Sequence, residues 1–149
     1  MKLSTKGRYG TRALLDVALH QGESPVQLKD IAERQQISLS YLEHLVAPLV
    51  AVGILRSVRG ARGGVSLARP TEDIPLIDVV RALEGSMAPV ECVDDPVKCS
   101  RAGSCVTRDL WVETKRAMES VLASTTLADL VRRHHEKSGG KSDDSGFCI

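Results

Sequence analysis

Apolar residues return along the N-terminal half with helical spacing. Tyr9, Ala13 and Val17, with Leu14 and Ala18, stand four apart and predict an amphipathic helix over about 4–20. Gly22 lies just beyond it, and Ser24-Pro25 reads as a loop. Leu28, Ile31 and Ala32 form the face of a short second helix ending near Gln35, and Ile37 falls in a turn. Leu42, Leu45, Val46 and Leu49 make the face of a third helix. Ser38 or Ser40 can cap its start, and Pro48 and Gly53 bound its end. Two short helices joined by a tight turn with a buried aliphatic residue form a helix-turn-helix pattern. Small Ala32 allows the close crossing, while Gln36 stands where many such turns have glycine.

Two short apolar strands follow, 54–58 and 65–68, around the glycine-rich turn Arg59-Gly60-Ala61-Arg62-Gly63-Gly64. A helix-turn-helix followed by an arginine-tipped hairpin predicts a winged helix. Residues 74–83 read as a further helix, with Pro75 near its first turn. Its face, Leu76, Val79, Val80 and Leu83, is expected to pack on the winged helix, and Gly85 ends it. Periodicity is lost over 86–105. It returns in Leu110, Trp111, Ala117, Met118, Val121 and Leu122, a helix of about eighteen residues. That stripe is too long for the small wing domain to cover, so its expected partner is the same helix of a second copy. Leu127, Leu130 and Val131 support a last short helix.

The fold class expected is therefore mainly α with a small β-hairpin wing: a winged helix-turn-helix plus a long dimerisation helix. The chain divides into a DNA-binding domain at 1–85, a cysteine loop at 86–105, a dimerisation helix and short last helix at 106–134, and a disordered tail at 135–149.

Charge changes the picture only when split by position. The 149 residues carry a net charge of +1, which taken whole argues against a nucleic-acid partner. Ten basic against five acidic residues give 1–70 a surplus of +5, and ten against fourteen leave 71–149 at −4. The basic half is the one holding the helix-turn-helix and the wing. Aromatic residues are only 3% of the chain, too few for the stacking platforms of a single-strand reader, so the expected partner is duplex DNA. The third helix suits the major groove, and the wing suits the minor groove or the phosphates.

Candidate DNA contacts are Ser38, Ser40, Tyr41, Glu43 and His44 on the third helix, Arg59, Gly60 and Arg62 in the wing, and Lys6 and Tyr9 on the first helix. Glu43 has a competing role, because Ser40-x-x-Glu43 fits a capping box. The basic start has no apolar run after it, so no signal peptide is read, and no run reaches the length of a membrane span. A cytoplasmic protein without membrane contact is expected.

Cys92, Cys99 and Cys105 fall in the aperiodic segment with the spacing Cys-x6-Cys-x5-Cys. Zinc favours closer cysteine pairs, and a reducing compartment disfavours a disulfide. An iron–sulfur cluster tolerates wider spacing and would give so long a loop a reason for order. Spacing alone leaves these alternatives open. Cys148 reads as a spare thiol.

The opening 1–10, the run 14–19, the segment Ile37-Ser38-Leu39-Ser40-Tyr41-Leu42-Glu43, Val58-Arg59-Gly60 with Gly63-Gly64, and the three-cysteine loop before Leu110-Trp111 together resemble the IscR-type iron–sulfur cluster regulators. These are bacterial winged-helix proteins whose wider family includes the nitric-oxide-sensing NsrR and cysteine-metabolism repressors. The resemblance spans roughly 1–133. It implies a homodimeric, non-enzymatic transcription regulator that binds operator DNA. It further implies a 2Fe–2S cluster received from the cluster-assembly machinery, and control of the genes of cluster biogenesis. Cys92, Cys99 and Cys105 match the family's ligands, with the first interval one residue longer than usual. Where such proteins often place a ligating histidine this chain has Arg108, which stays protonated and cannot ligate. Glu43 is the preferred fourth ligand by this resemblance; His44, Asp109, water or a small thiol are the alternatives. Rival functions are a nitric-oxide or redox sensor of the same family, and an iron–sulfur carrier, which would need neither Arg59 nor Arg62.

Overall fold

The computed structural model describes residues 1–139. Seven helices run in the order α1 (Thr5–His20), α2 (Leu28–Gln35), α3 (Leu39–Ala51), α4 (Leu76–Glu84), α5 (Glu91–Asp94), α6 (Val106–Ser124) and α7 (Leu127–Gly139). Between α3 and α4 the strands β1 (Leu55–Val58) and β2 (Gly64–Leu67) pair antiparallel, with Leu55 opposite Leu67 and Val58 opposite Gly64.

The apolar stripes read from the sequence are the core. Leu14, Ile31, Leu42, Ile54, Val79 and Leu127 are completely buried, and Ala32, Leu49, Val65 and Leu83 join them in one cluster. Each large aliphatic side chain so buried contributes about 1.5–3 kcal/mol. Ala32 is 6% exposed at the α2–α3 joint, as its small size suggests. Gly10 lets α4 lie close to α1: a Cβ there would stand 2.5 Å from Leu83 Cδ1.

Caps set the helix starts. Ser4 Oγ accepts from Gly7 N–H at 3.1 Å, and Ser38 Oγ accepts from Tyr41 N–H at 3.1 Å. Ser38 is therefore the cap of α3, and Ser40 lies inside its first turn. The Ser40–Glu43 capping box does not form, which leaves the Glu43 side chain uncommitted. Pro48 does not end α3 as expected; it lies within the last turn, where it forgoes only the bond to the His44 carbonyl. Gln36 is the one non-glycine residue with positive φ among those described, at 56°. Its backbone N–H reaches the Ala32 and Glu33 carbonyls, closing α2 in the left-handed conformation that glycine usually supplies.

Three features depart from the sequence reading. Val26, placed in a loop, exchanges two 2.8 Å backbone bonds with Val65 and joins the edge of the two-stranded wing sheet as a single-residue bridge. The backbone approach there is so close that a Cβ on Gly64 (φ +153°) would overlap the Val26 carbonyl oxygen. Secondly, α7 continues to Gly139, so the tail expected from 135 is helical through its first five residues. Residues 140–149, with Cys148, lie outside the described part. Thirdly, α7 turns back onto the winged helix. Leu76 N–H donates to the Thr125 carbonyl at 2.8 Å and Leu127 N–H to that of Ile74 at 2.9 Å, and Leu127 is fully buried.

The scaffold carries one buried charge. Asp16 is 3% exposed on α1 and takes Arg34 in a two-nitrogen grip, Nε to Oδ2 at 3.0 Å and Nη2 to Oδ1 at 2.6 Å; Gln35 Nε2 donates at 2.9 Å. Burial pushes the Asp16 carboxyl up. The hydrogen bonds from Arg34 and Gln35 and the Arg34 charge outweigh burial and hold it below its usual range. This pair fixes α2 on α1. Its signal in the sequence is an acid inside the apolar run 14–19.

Candidate nucleic-acid interface and cysteine segment

The helix-turn-helix presents the N-terminal part of α3. Ser38, Ser40, Glu43 and His44 are all exposed on it, and Tyr41 is half-buried. Tyr41 meets Tyr9 of α1 edge to face, the rings 6.2 Å apart at 80°. Such a pair contributes about 0.5–1.5 kcal/mol beyond its buried area. The Arg12 guanidinium lies 5.1 Å and that of Arg8 5.9 Å from the Tyr9 ring centre. Tyr9 thus joins α1 to the reading helix and gathers two cations beside it. Lys6 is exposed one turn earlier. Arg8 and Arg12 were not among the residues singled out from the sequence; their i, i+4 spacing around Tyr9 carries the signal.

The wing projects beside α3. Arg59, Gly60 and Arg62 are exposed at its tip, and Gly63 N–H to the Gly60 carbonyl at 2.9 Å closes the turn. An open groove between α3 and the wing is lined by Leu39, Glu43, Lys29, Arg59 and Gly60. Glu43 therefore lies with basic residues that face the same space, and no cysteine lines that groove. Within one chain, Glu43 faces the groove between α3 and the wing.

The cysteine segment packs its first turn against α6. Cys92 lies in the single turn α5, Cys99 follows a second turn at Pro96–Lys98, and Cys105 immediately precedes α6. All three are half-buried and free. Cys105 Sγ shares a 3.1 Å hydrogen bond with Thr107 Oγ1. That bond, then the Arg108 backbone N–H, hold the Cys105 thiol below its ordinary value, against the opposing charge of Asp109. Arg108, in place of a ligating histidine, turns its Nε to the Cys92 carbonyl at 2.8 Å. Asp109 is close enough to Cys105 to act on its charge, whereas His44 lies on the reading helix.

By donor chemistry, three cysteines between positions 92 and 105 fit an iron–sulfur group. Among the described residues of a single chain, no three His, Cys, Asp or Glu side chains are gathered as a metal site. The three thiols must therefore draw together to share a cluster, and the segment itself offers no fourth histidine.

Beyond it, α6 buries none of its nineteen residues. Leu110 is 52% and Val121 64% exposed. An apolar cleft beside it is lined by Met1, Leu3, Val80, Met87, Met118 and Leu122. No helix among the described residues is long and apolar enough to cross a membrane.

A helix-turn-helix with an exposed reading helix, followed by a basic hairpin wing, defines a winged-helix DNA-binding protein. The chain belongs to the Rrf2 family of iron-dependent transcriptional regulators, which matches residues 3–133. It is 52% identical over 132 residues to Protein rrf2 of Nitratidesulfovibrio vulgaris, covering 89% of this chain and 88% of that protein. Its fold is similar to that of T. potens IscR, with TM-score 0.76, 42% identity, and coverage of 98% of this chain and 94% of the other. It is also similar to CymR, the global cysteine regulator of B. subtilis, with TM-score 0.73, 41% identity, and coverage of 89% and 98%.

Proposed function

We propose that this chain is a homodimeric, cytoplasmic transcription regulator that reads operator DNA and senses iron–sulfur status. Cys92, Cys99 and Cys105 would hold a 2Fe–2S cluster, received from the cluster-assembly machinery, and the genes controlled are those of cluster biogenesis. The observation that carries the reading is the three-thiol segment lying between a winged helix and α6, whose Leu110 and Val121 are left exposed. The likeness to IscR supports it. The relatives are regulators, which supports a role in binding rather than catalysis.

The parts have separate tasks. Ser38, Ser40, Tyr41 and His44 on α3 reach base edges and phosphates, and Tyr9 keeps α3 in register with α1. Arg59 and Arg62 contact backbone or minor groove, with Gly60 allowing close approach; Lys6 adds a phosphate contact. The exposed stripe of α6 and the cleft beside it are covered by a second copy, which places two reading helices on a two-fold operator. Glu43 is the proposed fourth donor, supplied from a helix-turn-helix of the dimer, with His44 and Asp109 as alternatives. Engaged there, its carboxylate is withdrawn from the duplex; released, it returns a negative charge to the groove beside Arg59. When bound, the cluster supplies a redox- and iron-sensitive tether among the thiols.

The test is iron and acid-labile sulfide analysis of anaerobically purified protein. About two of each per chain are expected in the wild type, with loss in Cys92→Ala, Cys99→Ala and Cys105→Ala. Equal iron in wild type and variants overturns the ligand assignment. A second reading, a cluster-free regulator gated through its thiols or by a partner, is favoured by the ungathered thiols and by the likeness to CymR. Wild-type protein without iron or sulfide, yet binding duplex, supports that reading.

A further inference from the structure

The cysteine segment is held in place by charge. Arg108 and Lys115 are seven residues apart on α6, two turns, and so share one face. Both reach α5. Arg108 Nε donates to the Cys92 carbonyl at 2.8 Å, and Lys115 Nζ to Asp94 Oδ1 at 2.7 Å. Lys115 is held from its other side by Glu119, one turn on, at 3.7 Å, and Arg81 of α4 reaches the same Glu119 at 3.2 Å. Ser86 Oγ donates to the second Asp94 oxygen, tying in the start of the segment. The Lys115 and Asp94 side chains are 25% and 35% exposed, so the pair is only partly screened by water. α5 is a single turn with no buried residue. Apolar burial does not explain its position, and the polar contacts to α6 do.

We propose that Arg108 and Lys115 are positioning residues that clasp the Cys92 turn onto α6 before any metal is bound. The inference deepens the reading of Cys92, Cys99 and Cys105 as the sensing thiols and rests on it for its purpose. The clasp itself is a property of the metal-free chain. It keeps one thiol at a set place on the helix that begins beside Cys105, leaving less of the loop to be ordered on metal binding. It also places the held turn against α6, whose opposite face is free for a second copy.

The test is hydrogen exchange of the backbone amides of 91–99 in chelator-treated wild-type protein, with Lys115→Met, Lys115→Arg, Arg108→Met and, as control, the exposed α6 residue Arg116→Ala. Lys115→Met and Arg108→Met are expected to speed exchange in 91–99 by about five- to tenfold, with α1 amides unchanged. Lys115→Arg keeps the ion pair and restores exchange to near the wild-type rate, which a mere packing role would not predict. Raising NaCl to about 1 M on the wild type, which needs no variant, is expected to accelerate the same amides. Wild-type exchange already at the unprotected rate, no response to salt, or equal rates in Lys115→Met and Lys115→Arg overturns the clasp. Iron analysis of the same wild-type protein is a separate readout: its failure removes the cluster reading and leaves the exchange result standing.

Discussion

Asp16→Asn is the most informative perturbation of the scaffold. The substitution keeps shape and removes charge. In the wild type the carboxylate is 3% exposed and takes three hydrogen bonds from Arg34 at 2.6–3.2 Å and one from Gln35. An asparagine amide would turn its own N–H groups toward donors. Breaking a buried ion pair typically costs about 3–5 kcal/mol. The Arg34 side chain is 35% exposed and can turn its released charge to water, which reduces the cost to about 2–3 kcal/mol. At about 2–4 °C per kcal/mol for a domain of this size, the melting temperature should fall by roughly 4–12 °C. Urea unfolding at neutral pH measures the free energy, and the double-mutant cycle with Arg34→Met isolates the pair. A coupling energy below about 0.5 kcal/mol would mean that the grip contributes no more than two independent residues, contrary to a cooperative buried pair.

Further outcomes follow from the same geometry. Asp16, Asp94 and Asp129 have carboxyls held below their usual values, so each contributes stability that is complete above the ordinary carboxylate range and lost as pH falls through its depressed folded value. The acid limb of stability against pH should flatten in Asp16→Asn, and an unchanged limb would contradict this. Gln36→Gly should stabilise by about 0.5–1 kcal/mol in urea, by relieving the left-handed strain at φ 56°; a loss of stability would show that the glutamine side chain matters more than its backbone. Leu42→Ala, with the side chain wholly buried, should cost about 2–5 kcal/mol. Arg59→Ala should weaken duplex binding and lower the slope of log affinity against log salt by about 1, and an unchanged slope removes the wing from the interface.

The sequence disclosed those elements whose side chains obey a long period. The three apolar stripes of α1, α2 and α3 and the face of α4 are burial patterns, and the core follows them, with Leu55, Val65 and Leu67 of the wing strands joining it. Elements fixed by a single contact were opaque. Val26 joins the wing sheet through two backbone bonds, and one residue has no period. The turns at Glu91–Asp94 and Pro96–Lys98 depend on local bonds, such as Val97 N–H to Asp95 Oδ1 at 3.2 Å, which hydrophobic spacing cannot register. Two serines two residues apart left the cap of α3 ambiguous until backbone angles chose Ser38. At α7, the polar composition suggested a tail, but Arg132 bonds Asp129 at 2.8 Å and pairs with Glu136 at 3.6 Å along a continuing helix face. At the cysteine segment the thiols were plain from spacing. The part played by Arg108 was not, because an arginine in place of a histidine reads as a missing ligand until its Nε is seen on the Cys92 carbonyl.

In the proposed function, thiol chemistry at Cys92, Cys99 and Cys105 governs how the winged helix reads DNA. The most direct measurement is duplex affinity by fluorescence anisotropy, using a duplex enriched from random sequence by this protein. Anaerobic iron-loaded protein is compared with the same preparation after chelator treatment, each beside Cys92→Ala. A difference of about 5–150-fold is expected between the two wild-type forms, absent in Cys92→Ala. Equal affinity of the loaded and stripped wild-type protein would contradict it.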